Sequence, residues 1–319
     1  MELTLNIVGP AIPKALEEFQ RVFPDDATCA KFLEQLRWPE GFVCSKCGNV
    51  GEPYRFTKRK TVVLRCRACQ ANTSLTTGTV MQQSHMPLTI WFWGTYLVVT
   101  QNPGMTTAQF QEKLGLHYKT AFHILRKLRA AMARPSGDPI GARFPVEVDV
   151  TLIGEYTKRK GHSAHHKSLL FVAGAVEVRT WESGAKGKKR MKATGPGRLQ
   201  LRLIADRSAK ALTEFVQENV AAGAVVRTDG WSGFDGLAKL GYTHESMELD
   251  GDDEKIYANL PIIHLAFSNL KAWLRDTHNG VSPNNLQDRL NEFSFRFNHI
   301  YYPPKDAIQR ESAQLLLLP

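Results

Sequence analysis

Apolar residues recur along the chain with two different periods, and the change between them predicts how it is organised. Residues 16–23 and 26–36 carry apolar side chains at helical spacing, with Asp25 and Asp26 placed to cap the second run. Residues 86–133 are helical in pattern again, and Leu88–Val99 is apolar enough to form a core helix. From Phe144 onward, short strand-like runs come first and helices follow.

These shifts predict a multidomain α+β protein. A small helical N-terminus leads into a Cys-bearing ribbon and a helix-turn-helix, and an α/β core follows. The stretch 134–141 is rich in Pro and Gly, as a linker is. The predicted divisions are residues 1–40, 41–80, 86–133, the linker 134–142, the core 143–300 and a tail over 301–319.

The charge balance narrows the class of partner. A net charge of +10 and a pI near 9.4 favour nucleic acid or an anionic membrane surface, although a basic protein with neither partner is the plain alternative. Lys158, Arg159 and Lys160 lie in a segment that concentrates this charge, and there they are candidate contacts to a DNA backbone or a solvated loop. No secretory signal opens the chain, and its most apolar stretch is shorter than the ~20 residues that span a bilayer. We therefore expect a cytoplasmic protein with no membrane partner, associated with the nucleoid when it is bound to DNA.

Four cysteines form the most specific motif. Cys44 and Cys47 make one CxxC pair, Cys66 and Cys69 make another, and eighteen residues separate the pairs. Zinc takes four soft ligands in a tetrahedron, and this spacing lies within the range of zinc ribbons. Two redox CxxC pairs are the alternative, but the strand–helix context of a thioredoxin-like site is absent. The motif predicts a structural Zn2+ ion.

A basic hairpin of helices follows the ribbon. Thr106 and Gln109 resemble a capping box, and Gly115 separates a short helix from a longer one that starts near His117. A short helix, a Gly turn and a basic second helix are typical of a helix-turn-helix, although any basic amphipathic hairpin has the same pattern. The face opposite the apolar one carries the candidate DNA contacts Lys119, Thr120, His123, Arg126 and Lys127.

Two aspartates are candidates for a second kind of metal site. Residues 144–150 alternate strictly, so Glu147 and Asp149 share one face of a predicted strand and the valines share the other. A second apolar run, 224–228, ends at Asp229. If the two strands are neighbours, the carboxylates meet and suit Mg2+; otherwise they are ordinary turn caps.

The order of these motifs resembles the bacterial insertion-sequence transposases, which carry a zinc ribbon ahead of an RNase H-like DDE core. The similar stretches are Arg65–Cys69 with Gly78 and Thr79, Val146–Asp149 with Ile153 and Gly154, Arg227–Trp231, His264–Lys271 and Asn291–Asn298. The resemblance implies an RNase H-like core in which Asp149 and Asp229 bind catalytic Mg2+. It also implies binding of transposon terminal inverted repeats, strand cleavage, transfer to target DNA, and a homodimer or larger oligomer on DNA.

The third catalytic position departs from the common pattern, which has Glu there. Alignment on His264 with an Asp-Asp-Asn branch of the family places Asn269 at that position and implies a role for Lys271. Positions i and i+2 do not share a helix face, so Lys271 must reach by its long stem or point at DNA. Glu292 is a rival third ligand, and His264 is either an active-site helper or a capping residue. A second departure is Val150, where many relatives have an acid.

Three functions remain open on the sequence. The first is an active transposase. The second is a catalytically inactive, transposase-derived DNA-binding protein, which the missing Glu motivates. The third is a structure-specific nuclease that cleaves without joining.

Overall fold

The computed structural model describes residues 15–57, 62–101, 104–133, 138–154, 169–183, 191–247, 259–278, 282–301 and 316. The chain divides into two compact units, with the boundary after Met132. Within the described ranges, no helix is both long and apolar enough to cross a bilayer.

The first unit combines five helices and a small antiparallel sheet in its described part. Asp25 caps the second helix, since its side chain accepts from the backbone N–H of Thr28 at 2.7 Å. The sheet has the order β1-β2-β3. The elements are α1 (Leu16–Val22), α2 (Asp26–Arg37), β1 (Tyr54–Phe56), β2 (Val63–Arg65), β3 (Asn72–Ser74), α3 (Leu88–Thr100), α4 (Thr107–Leu114) and α5 (Tyr118–Ala131).

Helix α3 is the centre of this unit, and it confirms the core helix predicted over Leu88–Val99. It contacts α1, α2, α4 and α5, which explains why its apolar residues occur on all sides of the helix. Gly94 lets α4 approach closely, because a Cβ there would lie 2.8 Å from the ring of Phe110.

The two helices after α3 form the predicted hairpin. Thr106 and Gln109 make a complete capping box at the start of α4. Gly115 ends that helix with φ +63°, the left-handed conformation that glycine adopts without strain. The structure thus contains a helix, a Gly turn and a second helix. Whether this pair reads DNA as a helix-turn-helix stays a prediction.

The second unit is built on a five-stranded mixed sheet of order β6-β5-β4-β7-β8. Strands β4, β5 and β6 are antiparallel, whereas β7 runs parallel to both β4 and β8. The elements are β4 (Val146–Ile153), β5 (Leu170–Ser183), β6 (Met191–Ile204), α6 (Ala209–Asn219), β7 (Val225–Asp229), β8 (Thr243–Met247), α7 (Pro261–His278) and α8 (Pro283–Tyr301), with 3-10 turns at Ser232–Phe234 and Ala238–Leu240.

Helices cover both faces of this sheet. On one face, Val146 and Val148 pack with α6 in a core that also includes Phe215. On the other face, α7 and α8 pack against β5 and β6 around Phe267 and Phe293. The predicted alternation in β4 is therefore confirmed. Its acidic face is not a solvent face but the face that α7 covers.

Candidate zinc centre and candidate active site

The four cysteines of the CxxC pairs meet at one point of the first unit. Their sulfur atoms all lie within 4.8 Å of one another. The Sγ atoms of Cys44 and Cys69 are 3.6 Å apart, and those of Cys47 and Cys66 are 3.7 Å apart. A tetrahedral zinc ion with Zn–S bonds of ~2.3 Å separates its sulfurs by about 3.8 Å. The donor set and its spacing therefore fit a structural zinc ion.

Each of the two cysteine pairs lies on its own backbone turn, and the two turns are of the same type. The N–H of Gly48 donates to the carbonyl of Cys44 at 2.9 Å, and the N–H of Gln70 donates to that of Cys66 at 3.0 Å. Both donors are left-handed, with φ +68° at Gly48 and +59° at Gln70. The N–H groups of Cys47 and then Lys46 lower the pKa of the Cys44 thiol to about 6, whereas the neighbouring thiols and burial raise the pKa of the Cys47 thiol to about 12.

The two predicted aspartates lie on neighbouring parallel strands. The register of β4 and β7 pairs Val146 with Val226 and Glu147 with Arg227. Asp149 and Asp229 have the same offset of eighty residues and follow the last paired residues by two positions on each strand. After burial, the negative charge of Asp229 also raises the pKa of Asp149, so the two carboxylates interact electrostatically.

Asp149 occupies a nearly closed environment. It is 8% exposed, and burial, followed by the charge of Asp229, raises its pKa to about 7. Its Oδ1 accepts from the N–H of Val150 at 2.7 Å, while the positive charges of Arg207 and Lys271 work in the opposite direction on its pKa. A buried carboxylate that is repelled by a second one favours the binding of a divalent cation.

Helix α7 is held against the sheet beside Asp149. Gly174 is the β5 partner of Asp149, and a Cβ there would lie 2.7 Å from Phe267 and 2.9 Å from Ile263. The absence of a side chain at Gly174 thus lets α7 lie close to the strands. At the start of the helix, Glu147 Oε2 accepts from the N–H groups of Ile262 and Ile263, at 2.9 and 2.8 Å.

This packing decides which side chains of α7 face the aspartates. His264 Nδ1 lies 3.9 Å from Asp149 Oδ2, and Lys271 acts on the pKa values of both residues. Burial lowers the pKa of His264, which favours the neutral imidazole. His264 and Lys271 are seven residues apart, about 20° around a helix of ~3.6 residues per turn. They share one face.

Asn269 lies elsewhere on the helix. It is five residues from His264 and two from Lys271, which places it about 140° and 160° from them on a helix of ~3.6 residues per turn. Asn269 is exposed on α7, whereas Ile263, Ala266 and Leu270 of the same helix are buried. On α7, Asn269 thus lies on a different face from His264 and Lys271, and its role as the third catalytic residue stays a prediction.

The rival ligand Glu292 has other partners. Its side chain on α8 is 1% exposed, with carboxylate oxygens 2.9 Å from Arg296 and 3.8 Å from Arg289. Helix α8 packs along the edge strand β6, where Asn298 bonds the backbone of Leu199 in both directions. Glu292 is thus neutralised by arginines of its own helix.

The residues of α5 that are predicted to contact DNA lie on one exposed side of the helix, and one of them also has partners within the protein. Lys119, His123 and Arg126 are exposed, and Thr120 is half-buried beside them. Lys127 is exposed too, but its Nζ donates to the carbonyls of Val80 and Gln82, at 3.2 and 2.7 Å, within the same unit. This lysine stabilises the unit in addition to any contact with DNA.

The predicted basic loop, with Lys158, Arg159 and Lys160, lies outside the described residues. In the same basic segment of the sequence, Arg198 is bound to Glu177 at 2.8 Å and to Asp138 at 3.3 Å, and Arg202 pairs with Glu218. These arginines are engaged within the protein.

Sequence reasoning missed an arginine and a tryptophan beside the aspartates. Arg207 follows β6, and its guanidinium carbon lies 4.3 Å from the ring centroid of Trp231. Trp231 follows Asp229 by two residues and is 43% exposed. The sequence offered a signal for Trp231, which lies in the stretch Arg227–Trp231 that resembles the family. It offered none for Arg207.

Comparison with known proteins identifies a family for both parts of the chain. Residues 142–298 match the model of the ISXO2-like transposase domain, and residues 24–72 match that of a transposase zinc-ribbon domain. An uncharacterized protein in transposable element ISH50 of Halobacterium salinarum is 24% identical over 309 residues, which cover 91% of this chain and 96% of that protein. No solved structure matches. The zinc-ribbon match includes all four cysteines, and the transposase-domain match includes both aspartates and α7. The chain belongs to the ISXO2-like transposases that carry a zinc ribbon ahead of the transposase domain.

Proposed function

We propose that this protein binds the terminal inverted repeats of its element, cleaves the DNA there and joins the ends to target DNA in a metal-dependent reaction. The observation that carries the proposal is the pair of carboxylates, Asp149 and Asp229, on neighbouring parallel strands, with Asp149 buried and electrostatically coupled to Asp229. The strand order supports an RNase H-like core, because the first strand carries Asp149 and the fourth ends at Asp229.

The two aspartates are the residues that would hold the catalytic metal. Carboxylate oxygens are the ligands that Mg2+ takes in phosphoryl-transfer sites. Bound there, divalent ions stabilise the attacking and leaving oxygens of a phosphodiester displacement. The buried strand keeps Asp149 fixed, and burial excludes the water that would otherwise screen its charge.

For the third position we propose His264 in place of Asn269. His264 is 3.9 Å from Asp149 and shares its helix face with Lys271. With His264 at the third position, Lys271 therefore lies on the same side of the helix. A neutral imidazole ligand suits Mn2+ and later transition metals better than Mg2+. Lys271 supplies positive charge where the transferring phosphate gains negative charge.

The reaction needs little covalent chemistry from the chain. Water attacks a phosphodiester at the transposon end, its P–O bond to the 3′ oxygen breaks, and a 3′ hydroxyl is released. That hydroxyl then attacks a phosphodiester of the target and displaces the target's own 3′ oxygen. Positioning and charge stabilisation account for the catalysis.

Recognition of the ends falls to the first unit in this proposal. The exposed face of α5 with Lys119, Thr120, His123 and Arg126 suits the major groove, and the ribbon adds a second basic module. Because joining involves two ends, we expect a dimer or larger assembly on DNA. A DNA-bound mass with one protomer for two paired ends would contradict that expectation.

The experiment is strand cleavage and joining on labelled DNA that carries the element's own ends, with Mg2+ and Mn2+ in parallel. We expect Asp149→Ala, Asp229→Ala and His264→Ala to bind the ends and do nothing further. Asn269→Ala is the matched control on the same helix and should retain cleavage. His264→Glu should shift the preference from Mn2+ toward Mg2+.

Three outcomes would redirect the proposal. Loss of cleavage in Asn269→Ala with retention in His264→Ala would restore Asn269 as the third catalytic residue. Cleavage without joining would favour a structure-specific nuclease. Binding of the ends without cleavage under any divalent metal would favour a DNA-binding protein that has lost catalysis, the interpretation motivated by Asn269 in place of the common Glu.

A further inference from the structure

Arg207 and Trp231 form a fixed pair at the edge of the candidate active site. The guanidinium of Arg207 stacks on the indole at 4.3 Å, and the indole N–H of Trp231 donates back to the carbonyl oxygen of Arg207 at 3.3 Å. The ring is held from a third side by Gly233, where a Cβ would lie 2.7 Å from the indole nitrogen. Stacking and a returned hydrogen bond together restrict the arginine to a narrow range of positions.

The pair is connected to the catalytic carboxylates. The backbone N–H of Trp231 donates to Asp229 Oδ1 at 3.3 Å, so the residue that carries the indole also orients the second aspartate. From the other side, the positive charge of Arg207 acts on Asp149 together with that of Lys271. The guanidinium therefore lies within electrostatic range of the point where the two aspartates meet.

Arg207 differs in its partners from the arginines of this unit that bind carboxylates. Arg198 binds Glu177 at 2.8 Å, and Arg227 binds Glu245 at 2.7 Å. Arg207 has no carboxylate partner within the part of the chain that the structure describes, and its Nε is buried without a hydrogen bond. A guanidinium has five donors, and a half-buried one next to a site for a polyanion has donors to spare for an anionic oxygen.

We infer that Arg207 binds a phosphate of the DNA strand that lies at the Asp149–Asp229 site, and that Trp231 is the positioning residue that holds the guanidinium there. The inference rests on the proposed function, since it needs DNA at these carboxylates. It adds the contact that keeps the strand in register with the metals. A planar guanidinium meets two phosphate oxygens at once, whereas a lysine at this position would lose both the fork and the stack.

The competing explanation is that Arg207 only balances the charge of the two aspartates. Both explanations expect Arg207→Gln to be less active, so activity alone does not separate them. A contact to one phosphate has a further consequence. Removal of that phosphate's charge must weaken DNA binding strongly in the wild type and weakly in Arg207→Gln, because the two changes delete the same interaction.

The test is a cycle between protein variants and DNA with single neutral methylphosphonates, placed in turn at each phosphate around the cleavage point. Dissociation constants are measured with Ca2+, so that no cleavage is needed. We expect one position where the neutral phosphate weakens wild-type binding ~10-fold but weakens Arg207→Gln less than ~2-fold, as expected for one charge-assisted contact. Lys210→Gln, an exposed lysine on the adjoining helix, is the charge-matched control and should show the full wild-type loss.

Two further variants separate positioning from charge. Trp231→Phe keeps a ring under the guanidinium and should retain the coupling, whereas Trp231→Ala should reduce it although the charge of Arg207 is unchanged. Arg207→Lys should rescue little. Equal losses for wild type and Arg207→Gln at every phosphate would overturn the inference. Because the readout is binding, a wild type that couples to one phosphate but never cuts would contradict the proposed catalysis and leave this contact standing.

Discussion

The contact between Glu147 and the start of α7 gives the sharpest prediction about stability. The Glu147 side chain is almost completely buried, and one of its carboxylate oxygens accepts two backbone N–H bonds, from Ile262 and Ile263. In Glu147→Ala both donors lose their partner inside the protein. Each buried donor left unsatisfied costs ~1–3 kcal/mol, and relief of the buried charge offsets part of the sum. We expect a net loss of about 3 kcal/mol.

Glu147→Gln should behave differently, because an amide oxygen can still accept both bonds. Burial raises the pKa of Glu147, and the two N–H bonds act in the opposite direction. A raised folded-state pKa means that the fold favours the neutral acid. The wild type therefore loses stability as the pH rises through that value, whereas the Gln variant does not. We expect Glu147→Gln to stay within ~1 kcal/mol of wild type and to gain on it toward neutral pH.

Hydrogen exchange with peptide resolution is the assay, because the chain has two units and a global transition need not be two-state. A loss of ~3 kcal/mol should speed exchange in the first turn of α7 by ~100-fold. Glu245→Gln, which removes an exposed partner of Arg227 in the same sheet, is the control and should leave this turn unchanged. If the α7 peptides of Glu147→Ala exchanged like those of Glu245→Gln, Glu147 would not be what holds the helix.

Three further predictions concern the metals and the first unit. Cys66→Ser should lose the bound zinc and unfold the ribbon, whereas Cys29→Ala, outside the motif, should keep one zinc per chain by atomic absorption; equal zinc in both would contradict the site. Because Asp149 has a pKa of about 7, a proton competes with the metal, and the apparent Kd for Mn2+ should rise ~10-fold between pH 8 and pH 6. A pH-independent isotherm would refute this. Lys119→Gln should weaken DNA binding and reduce its salt slope by about 1, while Lys127→Gln should also lower the melting temperature of the unit, since it loses two carbonyl contacts; equal melting temperatures would contradict the structural role of Lys127.

Local patterns predicted most of what positions the site. The cysteine spacing predicted the zinc centre because all the residues of a CxxC turn are adjacent in the sequence. The alternation in β4 separated Val148 from Asp149 correctly, since a strand has a fixed period of two residues. The capping box at Thr106 also depends on neighbours alone, and the structure confirms it.

The third catalytic position was harder, because alignment by a motif does not fix the rotation of a helix about its axis. That rotation is set by the apolar stripe of Ile263, Phe267 and Leu270, which the sequence does contain. The proposed role of His264 rests on this stripe and on the seven-residue spacing between His264 and Lys271. Arg207 had no such signal, since its contact with Trp231 depends on two loops that meet only when the sheet forms.

The two carboxylates on β4 have different roles, and this difference affects what a point mutation does to a copy of the mobile gene. Glu147 ties the strand to a helix, whereas Asp149, two residues along on the same face, accepts its hydrogen bond from the adjacent Val150. On the proposed function, a copy that loses Asp149 by a point mutation still folds and still occupies the DNA ends. Such a copy competes with intact copies in the same cell without cutting. The architecture thus places a dominant inhibitor of the element one substitution away from the active protein.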